Sequence, residues 1–593
     1  MTQEAIEVKR PDRWDHPLDA SMTTDTAAWL LRQTPFSVMD QGRFAENTPL
    51  LDVLRNDTRL LALQAGDVVF REGQYGGSAY LVLGGTIRIF LSRLLAQDRQ
   101  PQAGGWKQRI WRSISPKLFR PRVSSSDRRK RSRAQAARTE TQPESVELGY
   151  RGTGADTRVF LQDIPGVLSA HATSAIEAGE LFGEMAAVTR TPREFTAAAE
   201  SDCLVLEIRW QGLKLLKQDP AFRRLLDERY RSEVLRTHLR ETPLFRFIPD
   251  EHLDQIMLST KLEQFGQLEW YANYQKQTLQ APSTRIASEP LIADEGSYAT
   301  GLWIVRGGFA RLSRRQGVGH RTLAYLGKGQ MYGLRELAHN FERSNHATPL
   351  PYQESLRAIG YVDVLWIPKQ VVHEHILPYI RSADLPAPIP SPRYQFGQPV
   401  VDAPLELSEH SLETGLLEFL VDQRLMNGRQ TMLIDTERCT RCDDCVRACA
   451  STHGGTPVFE RRGPQYGRWL FAQACMHCED PVCMIGCPTG AIHRDHESGL
   501  VMINDSSCIG CKSCAESCPY DNIRMVNTQD AAGRTRIDAV NGLPILQASK
   551  CDMCASSSGG KPACQSACPH DALVRIDMAD ISQVSTYIGR KAG

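Results

Sequence analysis

The chain has 593 residues, 41% of them hydrophobic and 23% charged, with 70 basic against 69 acidic side chains and a formal net charge of +1. That is the composition of a globular protein, and the length exceeds what one hydrophobic core supports, so three or more domains are expected. No run approaches 18 uninterrupted apolar residues, which excludes a membrane-spanning helix at the level of sequence.

Residues 1–35 are polar, lack a sustained period and read as a loose N-terminal tail. Between about 50 and 90, short apolar runs alternate with glycine-rich turns, as in all-β architecture. Val68-Val-Phe-Arg-Glu-Gly73 leads to Ala79-Tyr-Leu-Val-Leu-Gly-Gly85-Thr-Ile-Arg-Ile-Phe90. The pattern returns as Leu291-Ile-Ala-Asp-Glu-Gly296 and Gly301-Leu-Trp-Ile-Val-Arg-Gly-Gly308. Glu72-Gly73 and Gly84-Gly85 recur as Glu295-Gly296 and Gly307-Gly308 at one offset, so two diverged copies of one β-domain are predicted, over 36–235 and 236–380. Helical spacing of Phe222, Leu225, Leu226, Tyr230, Val234 and Leu235 predicts a helical connection from about 219 to 244. The first copy carries an insertion at about 94–165, in which Asp127 is the sole acid opposing eleven basic residues between Lys107 and Arg133. Such a run reads as a solvated loop, the alternatives being a grip on nucleic acid, anionic lipid or an acidic partner, with Trp106 and Trp111 near its start as docking candidates. A proline-rich stretch, Pro386 to Arg393, marks a linker over 381–430 that ends in a helical lead-in near 412–425. The last domain is expected over 431–593.

The first copy ends in Glu177-Ala-Gly-Glu-Leu-Phe182-Gly183-Glu184-Met-Ala-Ala-Val, then Thr191-Pro-Arg193-Glu-Phe-Thr196. This resembles the phosphate-binding cassette of cyclic nucleotide-binding domains, which are β jelly rolls. The resemblance implies that Gly183 cradles the phosphate of cAMP or cGMP, Glu184 takes the ribose hydroxyl, Arg193 pairs with the phosphate, and Thr196 fills a further cassette position. The residue after the arginine, ordinarily small, is Glu194, whose charge opposes a cyclic phosphate. In the second copy Leu334-Arg335 separates Gly333 from Glu336, and the arginine position holds Tyr352, so that copy is expected to be a structural or docking module.

Sixteen of the seventeen cysteines lie between Cys439 and Cys568, in four groups that each open with two cysteines three apart and close with two four apart. The groups are Cys439, Cys442, Cys445, Cys449; Cys475, Cys478, Cys483, Cys487; Cys508, Cys511, Cys514, Cys518; and Cys551, Cys554, Cys564, Cys568. Pro488, Pro519 and Pro569 follow the last cysteine of groups two to four, while group one has Ala450. Zinc needs two separated CxxC pairs per ion rather than this run, and a disulfide framework needs an oxidising compartment, for which no secretory segment is visible. The run is that of ferredoxins: three cysteines wrap one cube, and the fourth is expected to begin a helix and serve the neighbouring cube. His453, His477, His493, His496 and His570 sit in no spacing that requires them as ligands.

From about Thr431 to Ile581 these motifs resemble the four-cluster electron-transfer subunits of molybdopterin oxidoreductases. The resemblance implies four 4Fe–4S clusters in an α+β dicluster-ferredoxin-like domain, with ligand sets that cross between groups. One set is Cys439, Cys442, Cys445 with Cys568; its neighbour is Cys449 with Cys551, Cys554, Cys564. The other pair is Cys475, Cys478, Cys483 with Cys518, and Cys487 with Cys508, Cys511, Cys514. No catalytic constellation, Rossmann fingerprint or flavin site is visible, so a non-catalytic relay is expected to serve a separate redox subunit: a molybdopterin enzyme, a hydrogenase or a flavoprotein. The competing reading is a cyclic-nucleotide or redox sensor that controls a partner. No helix-turn-helix follows either β-domain, which argues against nucleic acid as the partner. The thiols suit the bacterial cytoplasm, with peripheral docking on a membrane-bound partner left open.

Overall fold

The computed structural model describes residues 5–90, 148–151, 158–162, 164–170, 173–193, 195–229, 235–267, 270–271, 282–316, 319–342, 349–381, 385–386, 394–395, 398–399, 414–555, 561–578 and 580–588. Most of the basic insertion, Glu194 and residues 387–393 of the proline-rich stretch lie outside them.

Residues 5–35 are ordered, against the expectation of a loose tail. Thr24–Leu30 is a helix whose Thr23 side chain accepts the Thr26 N–H, and its buried Ala27 and Leu30 join Phe36, Leu206, Ile208 and Leu213 in one core. Ile6–Val8 pairs in parallel with Arg536–Asp538, near the other end of the sequence. Both contacts depend on surfaces supplied by distant segments, so local periodicity carries no trace of them.

The first β-unit has two four-stranded sheets. One runs in the order Val68–Phe70, Thr196–Ala199, Ile87–Phe90, Thr173–Ile176, the other Thr58–Leu63, Cys203–Arg209, Ser78–Gly84, Leu181–Phe182. All pairings are antiparallel. In the second unit the same strands merge into one six-stranded sheet built on Gly301–Gln316 and Ser355–Pro368. The difference lies at the repeated glycine pair. Gly84-Gly85 ends one strand and leads to the next, whereas Gly307-Gly308 is a bulge inside a continuous strand. Gly85 and Gly308 both have positive φ, and a Cβ would come within 2.5 Å of the Asp202 carbonyl at the first and 2.0 Å of the Tyr361 carbonyl at the second, so no side chain fits at either.

The predicted helical connection is present as Pro220–Arg229 and Leu235–Glu241, the first capped by Asp219, which accepts the N–H groups of Ala221 (2.9 Å) and Phe222 (3.0 Å). The lead-in helix is Thr414–Asp422, and its Leu417 and Val421 pack on Phe309, Tyr325 and Ile359 of the second unit.

The cysteine-rich region combines the sheet Gln465–Tyr466, Trp469–Phe471, Thr431–Asp435, Leu573–Ile576 with two-stranded ribbons and short helices. Both β-units dock on it. Arg209 of the first unit bonds buried Asp57, the His16 carbonyl (3.2 Å) and the Thr489 carbonyl (3.1 Å), while Arg13 holds the other side of Asp57. Asp480, between Cys478 and Cys483, pairs with Arg190 of the first unit and accepts the indole N–H of Trp270 from the second at 3.2 Å.

Candidate metal centre

Each cysteine group wraps a turn of one shape. The residue just before the second cysteine is left-handed in all four: Arg441 (φ 61°), His477 (45°), Gly510 (64°) and Met553 (62°). Three of these carry a side chain, for which that conformation is unfavourable, so its fourfold recurrence marks a backbone held to a purpose.

The helices differ from expectation. Asp444–Thr452, Val482–Ile485, Ser513–Ser517 and Ala563–Ser566 each carry the third cysteine, and in groups two to four the helix stops just before the fourth. The fourth cysteine thus follows a helix end rather than opening a helix. Pro488, Pro519 and Pro569 explain the stop, because the residue before proline is disfavoured in helical conformation. Group one has Ala450 instead, and its helix runs on to Thr452.

The thiols converge across groups. Burial pushes the Cys514 thiol up to about 12, reinforced by Cys487, Cys508 and Cys511. Burial likewise raises Cys449 to about 11, with Cys551 and Cys554 beside it, and Cys564 to about 12, with Cys551, Cys449 and Cys554 as neighbours. Cys478 is raised by burial and by Cys475, Cys483 and Cys518. Cys445 is raised by burial and has Cys568 and Cys439 nearby. Cys442 is exposed. Buried thiols crowded in this way cannot ionise together unless a cationic centre sits among them, and iron in a cluster meets that condition.

Three cations, which spacing did not reveal, fasten the cysteine backbone. Arg575, half-buried, donates to the Cys475 carbonyl (3.0 Å) and the Cys551 sulfur (3.2 Å). Buried Lys550 donates to the Val501 and Cys551 carbonyls, and buried Arg494 to the Cys478, Glu479 and Gly499 carbonyls. A lone basic residue outside a motif gives no sequence signal. Backbone N–H groups add bonds to sulfur: Val458 to Cys449 (3.4 Å), Asn522 to Cys518 (3.4 Å) and Ala572 to Cys568 (3.3 Å).

His477 is buried, and its Nδ1 accepts the Val501 N–H at 3.0 Å, so it packs beside the thiols as a structural acceptor. Burial, then Lys550, Arg575 and Arg494, hold its pKa well below the usual range. His453, Asp552 and Cys554 lie within 4.8 Å of one another, but the His453 ring nitrogens contact the Cys449 carbonyl (2.8 Å) and Asp552 (3.0 Å).

In the first β-unit, left-handed Gly183 (φ 73°) opens the helix Glu184–Thr189, and Thr196 accepts the Glu72 N–H at 3.1 Å. Arg193 is 3% exposed and donates to the carbonyls of Gly183 and Ser78 (2.7 Å), with its guanidinium 4.3 Å above Phe70. Phe70, Tyr80, Phe182 and Phe195 fill the interior beneath it. In the second unit Tyr352 takes the matching place: its hydroxyl donates to the Gly301 carbonyl (2.6 Å), which stands at the repeat offset from Ser78. The surrounding backbone bonds match too. Gly73 and Gly296 donate to the carbonyls of Arg193 and Tyr352, which in turn donate to those of Gln74 and Ser297.

Residues 468–539 and 507–572 each match the 4Fe-4S dicluster domain family. The sequence is 38% identical over 178 residues to the B subunit of anaerobic dimethyl sulfoxide reductase from Haemophilus influenzae, a match covering 27% of this chain and 77% of that protein. The chain belongs to this family of iron–sulfur electron-transfer subunits. Other members are the thiosulfate reductase electron transfer subunit PhsB of Salmonella typhi (33% identical, 28% of this chain, 84% of that protein) and formate hydrogenlyase subunit 2 of Escherichia coli (33%, 26% and 85%). The two β-units lie outside the residues that match the 4Fe-4S dicluster domains. Among solved structures, the regulatory domain of Toxoplasma gondii PKA with cAMP covers 60% of this chain and 92% of that protein at 13% identity, with a TM-score of 0.19, too low to bear on ligand binding.

Burial and the nearby Glu354 raise the Glu336 carboxyl of the second unit to about 7. Because the folded value lies above the ordinary one, its contribution to stability is full below about pH 4.5 and is lost as pH rises through about 7. Glu336→Gln is therefore expected to match wild type in urea unfolding at pH 4.5 and to exceed it at pH 8 by on the order of 3 kcal/mol.

Proposed function

We propose that this protein relays single electrons through four 4Fe–4S clusters to or from a separate redox catalytic subunit, such as a molybdopterin enzyme, a hydrogenase or a flavoprotein. The observation that carries this reading is the left-handed turn repeated in all four cysteine groups, with thiols from different groups gathered around each. The four sets named from the family motif would hold the clusters, whose contribution when bound is one-electron chemistry. Their neighbours support a linear order. Cys445 and Cys449 share a helix, Arg575 spans Cys551 and Cys475, and Cys483 lies near Cys514. Exposed Cys442 marks the open end. The reducing conditions that such thiols need favour the cytoplasm. No helix among the described residues is long and apolar enough to cross a membrane.

Control by cAMP or cGMP at the first β-unit is a second reading, supported by left-handed Gly183 opening the helix Glu184–Thr189, Arg193 bonded to the Gly183 carbonyl, and Thr196 at the start of the strand that follows. It requires Arg193 to exchange two backbone carbonyls for a phosphate. The other role for both β-units is docking.

Anaerobically isolated protein should carry about sixteen irons and show reducible cubane signals by electron paramagnetic resonance; four irons or fewer would refute the relay. Arg575→Leu removes a cation and a sulfur hydrogen bond, so at full iron content at least one midpoint potential should fall by about 60 mV, a tenfold change in a one-electron equilibrium. Unchanged potentials would make Arg575 purely structural. On the second reading, cAMP or cGMP gives heat in calorimetry with wild type and none with Arg193→Ala; silence from both nucleotides removes that reading.

A further inference from the structure

A cavity of about 490 Å³ lies where the first β-unit, the N-terminal segment and the cysteine-rich region meet. Its volume falls in the range of small-molecule sites. One wall is Asp15–Leu18 and Ala20, a second comprises Tyr75–Ser78, Tyr80, Ala186 and Ala187 of the helix Glu184–Thr189, and Glu207 with Arg209–Gln211, and a third includes Thr489, Gly490, Ile492–Arg494 and His496. It is separate from the cysteine sets and is not confined to the cassette, since a whole wall belongs to the iron–sulfur region.

The lining is electropositive: Arg190, Arg193, Arg209 and Arg494 face only Asp15 and Glu207, and His16, His493 and His496 stand among them. Both carboxylates already have cationic partners, Lys9 for Asp15 and Arg59 for Glu207. Arg190 and Arg209 are paired with Asp480 and Asp57. Arg193 and Arg494, 3% and 6% exposed, donate to backbone carbonyls. Donors are also in excess at the wall, where Trp210 Nε1 and the Nε and Nη1 of Arg190 are buried with no acceptor among the described residues. A surplus of buried N–H donors and guanidinium charge calls for an acceptor-rich anion, and the flanking Tyr80 and Trp210 add aromatic surface.

We propose that this cavity binds a phosphate-bearing small molecule of nucleotide size, clasped between the first β-unit and the iron–sulfur region. Two lining positions allow a test without touching cysteines or buried ion pairs. A Cβ at Gly77 would meet nothing within 4 Å, so Gly77→Phe fills the space without a backbone clash. His493 is exposed on the wall from the iron–sulfur region, so His493→Glu adds a negative charge that opposes an anion there.

The experiment is calorimetry on full-length, anaerobically isolated protein with ATP, GTP, cAMP, cGMP, pyrophosphate and inorganic phosphate, with iron content and unfolding temperature measured in parallel. At least one nucleotide should bind, more weakly at high salt, and both variants should weaken it tenfold or more with iron content unchanged. Three results would overturn the proposal: silence from the whole panel; binding that survives both variants; or binding lost in Arg193→Ala but untouched by His493→Glu, which would put the ligand in the cassette. Inorganic phosphate or pyrophosphate binding as tightly as any nucleotide would refute the nucleotide-sized ligand. Each outcome is independent of whether the clusters relay electrons, because binding is read directly and iron is counted separately.

Discussion

One carboxylate holds the three large parts of this molecule in register. Asp480 lies in the second cysteine group, where its backbone N–H donates to the Asn427 side chain at 2.7 Å and its carbonyl accepts from the same amide at 3.1 Å. One side-chain oxygen takes Arg190 from the first β-unit and the other takes Trp270 from the second. Arg190 itself is left-handed (φ 60°) at the end of the cassette helix, so the geometry of that helix is written directly onto the loop between Cys478 and Cys483. A buried pair of this kind adds little net stability once desolvation is counted, but breaking one side of it leaves an uncompensated charge. Its value is to fix one arrangement among many.

What the sequence made legible follows from periodicity and spacing. The cysteine runs announce their chemistry because cluster loops require fixed separations, and the duplicated β-units announce themselves through two glycine pairs whose second members, Gly85 and Gly308, leave no room for a side chain. Tyr352 is readable as the counterpart of Arg193 by counting from the closing strand, and the matched backbone bonds around the two residues bear out that alignment. The ordered N-terminal segment is not readable, because Ile6–Val8 gains its partner from Arg536–Asp538 and Arg13 gains its own from Asp57. The placement of the short helices is ambiguous in the sequence because proline can act in either direction, starting a helix or stopping one. After the fourth cysteine it acts on the residue before it, and the helix ends.

The two β-units show what duplication permits. At equivalent points one has a guanidinium over Phe70 and the other a phenol bonded to Trp303 at 3.2 Å, and both reach the equivalent carbonyl. Either group closes its fold, so the position is open to exchange where no ligand demands the charge. The bulge at Gly307-Gly308 then lets the second unit become a continuous sheet that supports the lead-in helix, while the broken strands of the first leave its helix end turned toward the cysteine loops.

The parallel strand made by Ile6–Val8 also constrains assembly in time. Arg10 bonds the Gly510 carbonyl, 500 residues away, so this segment cannot settle until the region of the third cysteine group has formed. Contacts of such long sequence separation are slow to form, since loop closure must precede any reward. The N-terminal strap is thus a late clasp, fastened beside the third cysteine group once that region has taken its shape.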